Sequence, residues 1–300
     1  MSSLVETPTT AGTGTAGTGT AATAIPAVAL PNAARPGATM PQVGFGVFRV
    51  PDAETTRAVG HALEAGYRSV DTAAVYGNEA GVGRALAESG LARADLFVTS
   101  KLWTDSMARG AVRPALERSL ELLGLDALDL YLIHWPAPGR GQHVAAWEGL
   151  IEAREAGLVR EIGVSNFQPA HLDAIIAATG VRPVVNQVEL HPALQQRELR
   201  AHHAGLGIVT EAWSPLAQGA VLDAAPVTDA AGAHGVSAAQ VVLRWHLQHG
   251  NVVIPKSVTP ARIASNLDVL GFELTAQQVA AIDALDRDGR TGPHPDRFDG

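Results

Sequence analysis

Short apolar runs alternate along this chain with longer stretches of helical periodicity. Eight β-branched or apolar runs predict strands at residues 43–47, 68–70, 96–99, 128–133, 161–164, 183–185, 208–210 and 252–254. Apolar residues at intervals of three and four predict helices at residues 52–64, 79–88, 109–123, 144–155, 169–178, 196–204, 237–248 and 260–270, and a further one at 275–285. We expect Asp52 to be the N-cap of the first helix.

The regular alternation of strands and helices predicts the fold class. Eight β–α units of this length form one α/β domain, and a closed (β/α)8 TIM barrel uses all eight strands without leaving an exposed edge. A doubly wound open sheet is the alternative. We predict a single barrel domain over residues 38–300.

The N-terminal segment differs in composition from the rest of the chain. Residues 1–37 are mostly Ala, Thr, Gly, Ser and Pro, and we predict a disordered tail that is not a secretory signal. Within it, Gly-Thr-Gly-Thr-Ala-Gly at 12–17 matches a dinucleotide-binding pattern, but no strand precedes it and no helix follows. We interpret that match as accidental. Residues 25–30 predict one strand of a small hairpin at the bottom of the barrel.

Composition and charge narrow the functional classes. A hydrophobic content of 46% in 300 residues suffices for one core, and no apolar run approaches the length of a membrane span. A net charge of −8 provides no basic stripe, so we expect no nucleic-acid partner. The lack of cysteine excludes disulfides, thiolate metal sites and a cysteine nucleophile. We expect a cytoplasmic monomer that does not bind membranes.

Only two lysines occur among the 22 basic residues, Lys101 and Lys256. Each directly follows an apolar run, where a barrel places its active-site loops. A compact ammonium can share the proton of a neighbouring phenol or act as a point charge for a phosphate. Both lysines are therefore candidates for chemistry, although chance retention in an Arg-rich chain would also explain either one alone.

Four chemically compatible side chains are predicted at three adjacent strand ends. Asp71 follows the second strand, Tyr76 lies five residues later, Lys101 follows the third strand and His134 follows the fourth. An ammonium lowers the pKa of a nearby phenol, a carboxylate holds that ammonium, and an imidazole can orient a carbonyl oxygen. Each residue alone is more often a cap or a packing residue. Together they predict an acid–base site.

Three motifs carry a resemblance to a known family. The segment Gly-Tyr-Arg-Ser-Val-Asp-Thr-Ala-Ala-Val-Tyr-Gly-Asn-Glu spans 66–79, Ile-Gly-Val-Ser-Asn-Phe spans 162–167, and Ile-Pro-Lys-Ser spans 254–257. In this order they resemble the signatures of the aldo-keto reductases, over a match from about Met40 to the C-terminus. Residues 44–48 and 211–216 are most similar to the bacterial 2,5-diketo-gluconate reductase-like members.

This resemblance implies hydride transfer from NADPH to the carbonyl of an aldehyde or ketone, such as a keto sugar, an α-dicarbonyl or a small aldehyde. It gives Tyr76 the role of proton donor, Asp71 and Lys101 the role of tuning it, and His134 the role of orienting the carbonyl. The implied substrate pocket is walled by Phe48, Trp103 and Trp135.

The resemblance also implies the cofactor contacts. Trp213 would stack on the nicotinamide, and Lys256 would face the adenosine 2′-phosphate. The full set is Val47, Ser165, Asn166, Gln187, Trp213, Ser214, Leu216, Lys256, Ser257, Val258, Thr259, Arg262 and Asn266. Thr259 and Ser265 depart from the pattern of similar reductases, which often carry Arg and an acidic or amide residue there, so we expect only a moderate preference for NADPH, with weaker NADH binding. The short segment 290–300 predicts a pocket open on that side.

Two other functions remain open at this point. Lys101 in a barrel could form a Schiff base, as in an aldolase. Relatives of this fold also serve as cofactor-binding regulatory subunits. We predict no metal site, because His202-His203 and the pair His246 and His249 lack Glu or Cys at ligand spacing, and the second pair is expected on a solvated helix face.

Overall fold

A computed structural model describes residues 25–300, so the glycine motif at 12–17 and most of the predicted tail lie outside the described residues. The strands of this part of the chain are β1 Ala27–Ala29, β2 Thr39–Pro41, β3 Phe45–Gly46, β4 Ser69–Asp71, β5 Phe97–Leu102, β6 Leu128–Ile133, β7 Val159–Ser165, β8 Val185–Glu189, β9 Val209–Trp213 and β10 Val252–Val253. The α-helices are α1 Asp52–Ala65, α2 Glu79–Glu88, α3 Arg109–Leu123, α4 His143–Glu155, α5 Pro169–Thr179, α6 Arg197–Leu206, α7 Ala225–His234, α8 Ala238–Gln248, α9 Pro260–Leu267 and α10 Ala276–Asp283.

Strands β3 to β10 form one parallel sheet in chain order. The sheet closes on itself where Gly44 N donates to Val253 O at 2.8 Å and Val253 N donates to Gln42 O at 3.0 Å. The helices between the strands cover its outer face, as expected for a right-handed β–α–β chain. The predicted (β/α)8 barrel is confirmed, and the alternative of an open doubly wound sheet is wrong.

Two apolar layers hold the barrel together. The larger one lies between sheet and helices and includes the fully buried Trp147, Trp245, Tyr67 and Tyr131. The smaller one fills the lower half of the barrel interior with side chains from four strands and the hairpin; it consists of Leu30, Met40, Leu130, Leu132, Val184, Val185, Val209 and Val252. Burial of this area supplies the main driving force for folding.

The hairpin of β1 and β2 plugs the bottom of the barrel, as predicted. The Asn32 side chain donates to the carbonyls of Pro183, Leu206 and Gly207, each at 3.1 Å, just before β8 and β9 begin. The Glu161 carboxylate, near the start of β7, accepts hydrogen bonds from the backbone of residues 34 and 35. The predicted domain boundary at residue 37 therefore falls inside a packed element, and the barrel unit includes the hairpin.

Several local predictions differ from the structure. Helix α7 is missed, because its Ala-rich sequence buries only Val227 and Ala230. The sixth barrel strand is Val185–Glu189, later than the predicted 183–185. Asp52 is the first residue of α1 and caps nothing there; instead, its carboxylate accepts from the backbone N–H of Gly81 at 2.7 Å.

Candidate active site

Alternate residues of the barrel strands point into the interior. In β9, Val209 belongs to the lower apolar layer, and Glu211 and Trp213 follow at intervals of two toward the carboxyl end. The strand register places Glu211 beside Gln187 of β8, and Gln187 beside Ser165 of β7. A polar layer therefore lies directly above the apolar one, at the carboxyl ends of the strands where barrels carry their sites.

Lys101 and Asp71 form a buried ion pair in this polar layer. Lys101 Nζ donates to Asp71 Oδ1 at 2.5 Å and to the Thr72 carbonyl at 2.9 Å. Lys101 lies inside β5, not in the loop after it as predicted, and its side chain is fully buried. Burial lowers the pKa of Lys101, but the charge of Asp71 and its hydrogen bond raise it. Lys101 is therefore an ammonium at neutral pH.

The phenol of Tyr76 lies against this pair, on the short 3-10 turn Ala74–Tyr76. Lys101 Nζ is 5.2 Å from the Tyr76 ring centroid. Burial raises the pKa of Tyr76, the Lys101 ammonium lowers it, and Asp71 raises it again, with a raised pKa as the net result. Lys101 lowers the pKa of Tyr76, as the sequence predicted, but the increase caused by burial is larger. Tyr76 keeps its proton at neutral pH.

His134 directly follows β6 and completes the group of four predicted side chains. Its ring centroid is 5.6 Å from that of Tyr76 and 5.2 Å from that of Trp103. Burial and the positive charge of Lys101 lower its pKa well below the usual value, so the imidazole is neutral. Its Nδ1 is buried, and within residues 25–300 it has no hydrogen-bond partner. Asp71, Tyr76, Lys101 and His134 are thus brought together as the sequence predicted.

The side chains predicted to hold a nicotinamide form one hydrogen-bonded group. Trp213 Nε1 donates to Asn166 Oδ1 at 2.8 Å, and Asn166 Nδ2 donates to the His134 carbonyl at 3.0 Å. Ser165 Oγ donates to the Gln187 carbonyl at 2.8 Å. Asn166 adopts a φ of 64°, which turns the chain sharply after β7. The indole of Trp213 is linked through Asn166 to the His134 backbone and remains only partly buried.

Glu211 belongs to this site although the sequence analysis assigned it no role. The Gln187 side-chain amide donates to Asp71 Oδ2 at 2.8 Å and to Glu211 Oε2 at 2.9 Å. Burial raises the pKa of Glu211 to about 8, and the charge of Asp71 adds to the increase. The strand alternation that places Val209 and Trp213 inside would have placed Glu211 there too.

The residues predicted to meet a 2′-phosphate lie after β10. Lys256 and Arg262 are exposed, and neither has a carboxylate within 4.0 Å in the described part of the chain. Ser257 Oγ accepts from the backbone N–H of Thr259 at 3.1 Å, just before α9 begins. Val258 is exposed, and Asn266 is buried on α9. Two unpaired cations beside a helix N-terminus suit a phosphate group.

The other predicted cofactor residues lie in the turns after β3 and β9. Val47 is buried, and its carbonyl accepts from Asn78 Nδ2 at 3.0 Å. Ser214 adopts a φ of 48°, and Leu216 is half-buried in the following turn. None of the three is charged, so any contact here relies on backbone, hydroxyl or apolar surface.

Aromatic side chains surround the mouth of the site. Phe48 is 53% exposed and its ring centroid lies 5.0 Å from that of Tyr76. Trp103 stands next to His134, and the Trp135 centroid is 6.5 Å from that of Trp213. The three predicted pocket residues thus form an apolar wall around the acid–base group.

The C-terminal segment closes the side that the sequence analysis expected to be open. Phe298 packs on Trp135 and Trp103, at centroid distances of 4.5 and 6.3 Å. Asp299 accepts from the backbone N–H of Gly139 at 2.8 Å. At its start, the segment is held by Glu189, which accepts hydrogen bonds from residues 291 and 292. The expectation of an open pocket is therefore wrong.

The histidine pairs have structural surroundings in the described chain. His246 is fully buried, with Nε2 at 3.1 Å from the Pro215 carbonyl, and His249 contacts Asp283 at 3.0 Å, so the predicted solvated face is wrong. Residues 25–300 contain no group of three His, Cys, Asp or Glu side chains that could hold a metal ion. Over the same residues, the helices are too short or too polar to span a membrane.

Comparisons with known proteins agree with this geometry. An aldo-keto reductase of Mycobacterium sp. (strain KMS) is 54% identical over 259 residues, which cover 86% of this chain and 94% of the relative. The methylglyoxal reductase DkgA of Escherichia coli (strain K12) is 52% identical over 263 residues, 87% of this chain and 95% of the relative. A crystal structure of a Gox0644 mutant in complex with NADPH is 48% identical, with a TM-score of 0.87, and covers 92% of this chain and 99% of that one.

The comparison with protein families gives the same assignment. Residues 42–287 match the Aldo/keto reductase family, and this range contains every barrel strand and the four clustered side chains. The chain therefore belongs to the aldo/keto reductase family.

Proposed function

We propose that this protein reduces the carbonyl group of an aldehyde or ketone with hydride from NADPH, and that Tyr76 donates the proton. The observation that carries this proposal is the buried contact of Tyr76 with the Lys101–Asp71 pair beside a neutral His134. A protonated phenol next to a fixed ammonium can release its proton to a carbonyl oxygen, because the ammonium stabilises the phenolate that remains.

Each of the four side chains has a distinct task in this scheme. Tyr76 supplies the proton, and Lys101 provides the positive charge that offsets the developing phenolate. Asp71 holds the Lys101 ammonium at 2.5 Å and fixes its position. The neutral imidazole of His134 donates a hydrogen bond to the carbonyl oxygen and so orients it toward Tyr76.

The donor set suits a nicotinamide dinucleotide with a 2′-phosphate. When bound, NADPH supplies the hydride that reduces the carbonyl carbon. Trp213 would offer its indole to the nicotinamide, while Ser165, Asn166 and Gln187 would bind the carboxamide. Lys256 and Arg262, which are exposed and lack carboxylate partners among residues 25–300, would bind the 2′-phosphate. The Gox0644 relative crystallised with NADPH supports this choice.

The state of Lys101 argues against Schiff-base chemistry. A lysine that attacks a carbonyl must be a free amine. Lys101 instead has a raised pKa and donates to both Asp71 and Thr72. A regulatory role would not require a protonated phenol beside this pair. Carbonyl reduction therefore explains the site better than either alternative.

A substrate panel tests the proposal. The name of the Escherichia coli relative makes methylglyoxal the first carbonyl to examine, followed by other α-dicarbonyls, keto sugars and small aldehydes. We expect oxidation of NADPH that depends on the carbonyl compound and is faster than oxidation of NADH. Absence of turnover with every compound, in protein shown to be folded, would reject the proposal. Borohydride trapping of a substrate on Lys101 would favour the aldolase instead.

A further inference from the structure

The interior of the barrel buries more acidic groups than the four clustered residues account for. Glu211 is 1% exposed, on the strand opposite to the ion pair, and the side-chain nitrogen of Gln187 links it to Asp71 with bonds of 2.9 and 2.8 Å. One continuous chain of contacts therefore runs from Glu211 through Gln187 and Asp71 to the ammonium of Lys101. Glu211 is its far end.

The charges in this chain do not balance if both carboxyl groups are ionised. Asp71 from β4 and Glu211 from β9 face a single cation, Lys101 from β5, with the phenol of Tyr76 beside them. A second carboxylate would be buried without a cation of its own, which is costly. Burial and the charge of Asp71 accordingly raise the pKa of Glu211 to about 8.

The geometry leads to one inference about the reaction, which rests on the proposed function. We propose that Glu211 is a positioning residue for the proton donor: it fixes the Gln187 amide, which holds Asp71 on Lys101, and its own charge controls how readily Tyr76 gives up its proton. Glu211 does not touch the reacting atoms. It acts through Gln187 and through its electric field.

The sign of the field effect follows from the charges. Below about pH 8, Glu211 is uncharged, and Asp71 and Lys101 form a balanced pair. Above that pH, Glu211 becomes negative and disfavours the phenolate that Tyr76 becomes when it donates its proton. The groups that face Glu211 are Asp71, Lys101, Tyr76 and the neutral Gln187. Carbonyl reduction should therefore slow as Glu211 ionises.

Substitution of Glu211 by Gln separates charge from shape. Glu211→Gln keeps an oxygen that can accept from Gln187 but can not ionise. We expect its single-turnover rate of NADPH oxidation by methylglyoxal to lie within about twofold of wild type at pH 7. Wild type should lose rate between about pH 7.5 and 9, while the variant keeps it. Identical pH profiles of the two proteins would overturn the field effect.

Substitution by Ala tests the positioning effect. Glu211→Ala removes the partner of the Gln187 amide, and we expect the rate at pH 7 to fall about three- to tenfold, the usual worth of one hydrogen bond, with substrate KM unchanged. A wild-type rate in folded Glu211→Ala would overturn this half of the proposal. Where Glu211→Ala fails to fold, Glu211→Met provides the same test, because it fills the volume of the side chain but offers the Gln187 amide no oxygen acceptor.

Glu161→Gln is the matched control. Glu161 is equally buried in the same barrel, but its carboxylate binds the backbone of residues 34 and 35 at the bottom, away from Tyr76. We expect Glu161→Gln to keep the wild-type pH profile. If Glu161→Gln altered the profile as Glu211→Gln does, the effect would be one of general stability and the proposal would fail.

An infrared measurement tests the charge of Glu211 without any turnover. At pH 6.5 a protonated buried carboxyl gives a C=O stretch that carboxylates lack, and the difference between wild type and Glu211→Gln isolates it. We expect this band at pH 6.5 and its loss by pH 9.5. A missing band at pH 6.5 would overturn the proposal even in an active enzyme. A missing activity with the band present would instead count against the proposed carbonyl reduction.

Discussion

The two ends of the barrel bury polar groups in opposite ways. At the bottom, Asp129 accepts from the backbone N–H of Val98 at 2.8 Å and pairs with Arg93 and Arg160, each at 2.6 Å. At the top, two carboxyl groups share one lysine, and His134 Nδ1 has no partner among the described residues. The buried carboxylate at the bottom is therefore fully paired, whereas the buried acidic groups at the top outnumber their one cation.

This difference separates stability from function within one fold. Satisfied buried groups at the N-terminal ends of the strands anchor the plug and fix strand register, because an unpaired group there would destabilise the fold. Burial at the carboxyl ends, together with the charges of Asp71 and Lys101, shifts the pKa values of Tyr76, His134 and Glu211. Shifted pKa values are enriched at functional sites, although structural ion-pair networks produce them too. Variants at the two ends should therefore have different consequences.

Removal of the Asp129 carboxylate should destabilise the bottom of the barrel without affecting catalysis. Asp129→Ala leaves the Val98 N–H and two arginines without their acceptor, and we expect the free energy of unfolding to fall by about 3 kcal/mol. The kcat of the folded fraction should not change. Urea denaturation measures the first quantity and steady-state kinetics the second. Asp126→Ala, at an exposed site three residues earlier, serves as control and should alter neither. A loss of kcat larger than the loss of folded protein would contradict the comparison.

Glu189 lies at the top of the barrel, but its carboxylate is hydrogen-bonded as fully as the polar groups at the bottom. Burial raises its pKa, yet hydrogen bonds from His191, Thr291 and Gly292 lower it to about 2. A depressed carboxyl pKa stabilises the fold above the unfolded value near 4.5, and this contribution is lost as the pH falls toward 2. We expect Glu189→Gln to be less stable than wild type by about 2–3 kcal/mol at pH 7.

The difference between Glu189→Gln and wild type should shrink as the pH falls from about 4.5 to about 2. Urea denaturation at pH 7, 4 and 3 follows it. Glu155→Gln, at the exposed end of α4, is the control and should follow wild type throughout. A stability gap that is the same at pH 3 and pH 7 would show that the Glu189 charge does not anchor the C-terminal segment.

Lys256 lies at the outer edge of the top of the barrel, and its side chain is exposed. Its ammonium should bind the 2′-phosphate that NADH lacks, so Lys256→Ala should weaken NADPH binding about ten- to a hundredfold and leave NADH binding nearly unchanged. Dissociation constants of both cofactors at fixed ionic strength provide the test. Arg57→Ala removes an exposed cation of α1 as a control for net charge. Equal weakening of both cofactors would mean that Lys256 supports its loop and does not read the phosphate.

The smallest effect is expected for the N-terminal residues ahead of the plug. Residues 1–20 carry none of the predicted site residues and little apolar surface, so their deletion should leave melting temperature and activity within error. Deletion of residues 1–36 should instead destabilise the barrel, because it removes β1 and the three hydrogen bonds of Asn32. A clear loss on removal of residues 1–20 alone would show that they contact the barrel.

The sequence was sufficient for the fold and for the four clustered side chains. Strand and helix periodicities differ enough that eight β–α units can be counted, and signature residues at strand ends converge wherever such units close into a barrel. Helix α7 was not predicted, because its many alanines give no periodic contrast between apolar and polar positions. The displaced strand β8 shows that the boundary of a short buried run can not be read from its apolar letters alone.

What the sequence did not predict depends on contacts between distant residues. The closed pocket requires Phe298 to reach Trp103 and Trp135, which lie more than 160 positions earlier. The raised pKa of Tyr76 depends on burial, which no local pattern reports. Glu211 was within reach, since a carboxyl group between two inward-facing residues of a strand must itself face inward.

We expect the top of the barrel to serve proton donation by Tyr76, and we expect this role to be separate from stability. The most direct test is the single-turnover rate of NADPH oxidation by methylglyoxal in Tyr76→Phe, alongside wild type at pH 7. Phe keeps the ring that Tyr76 packs against Phe48 and His134, so the melting temperature should stay within error. We predict a rate about 10²–10⁴-fold lower, the usual worth of a positioned general acid. A Tyr76→Phe rate above half that of wild type would contradict the proposed role of Tyr76.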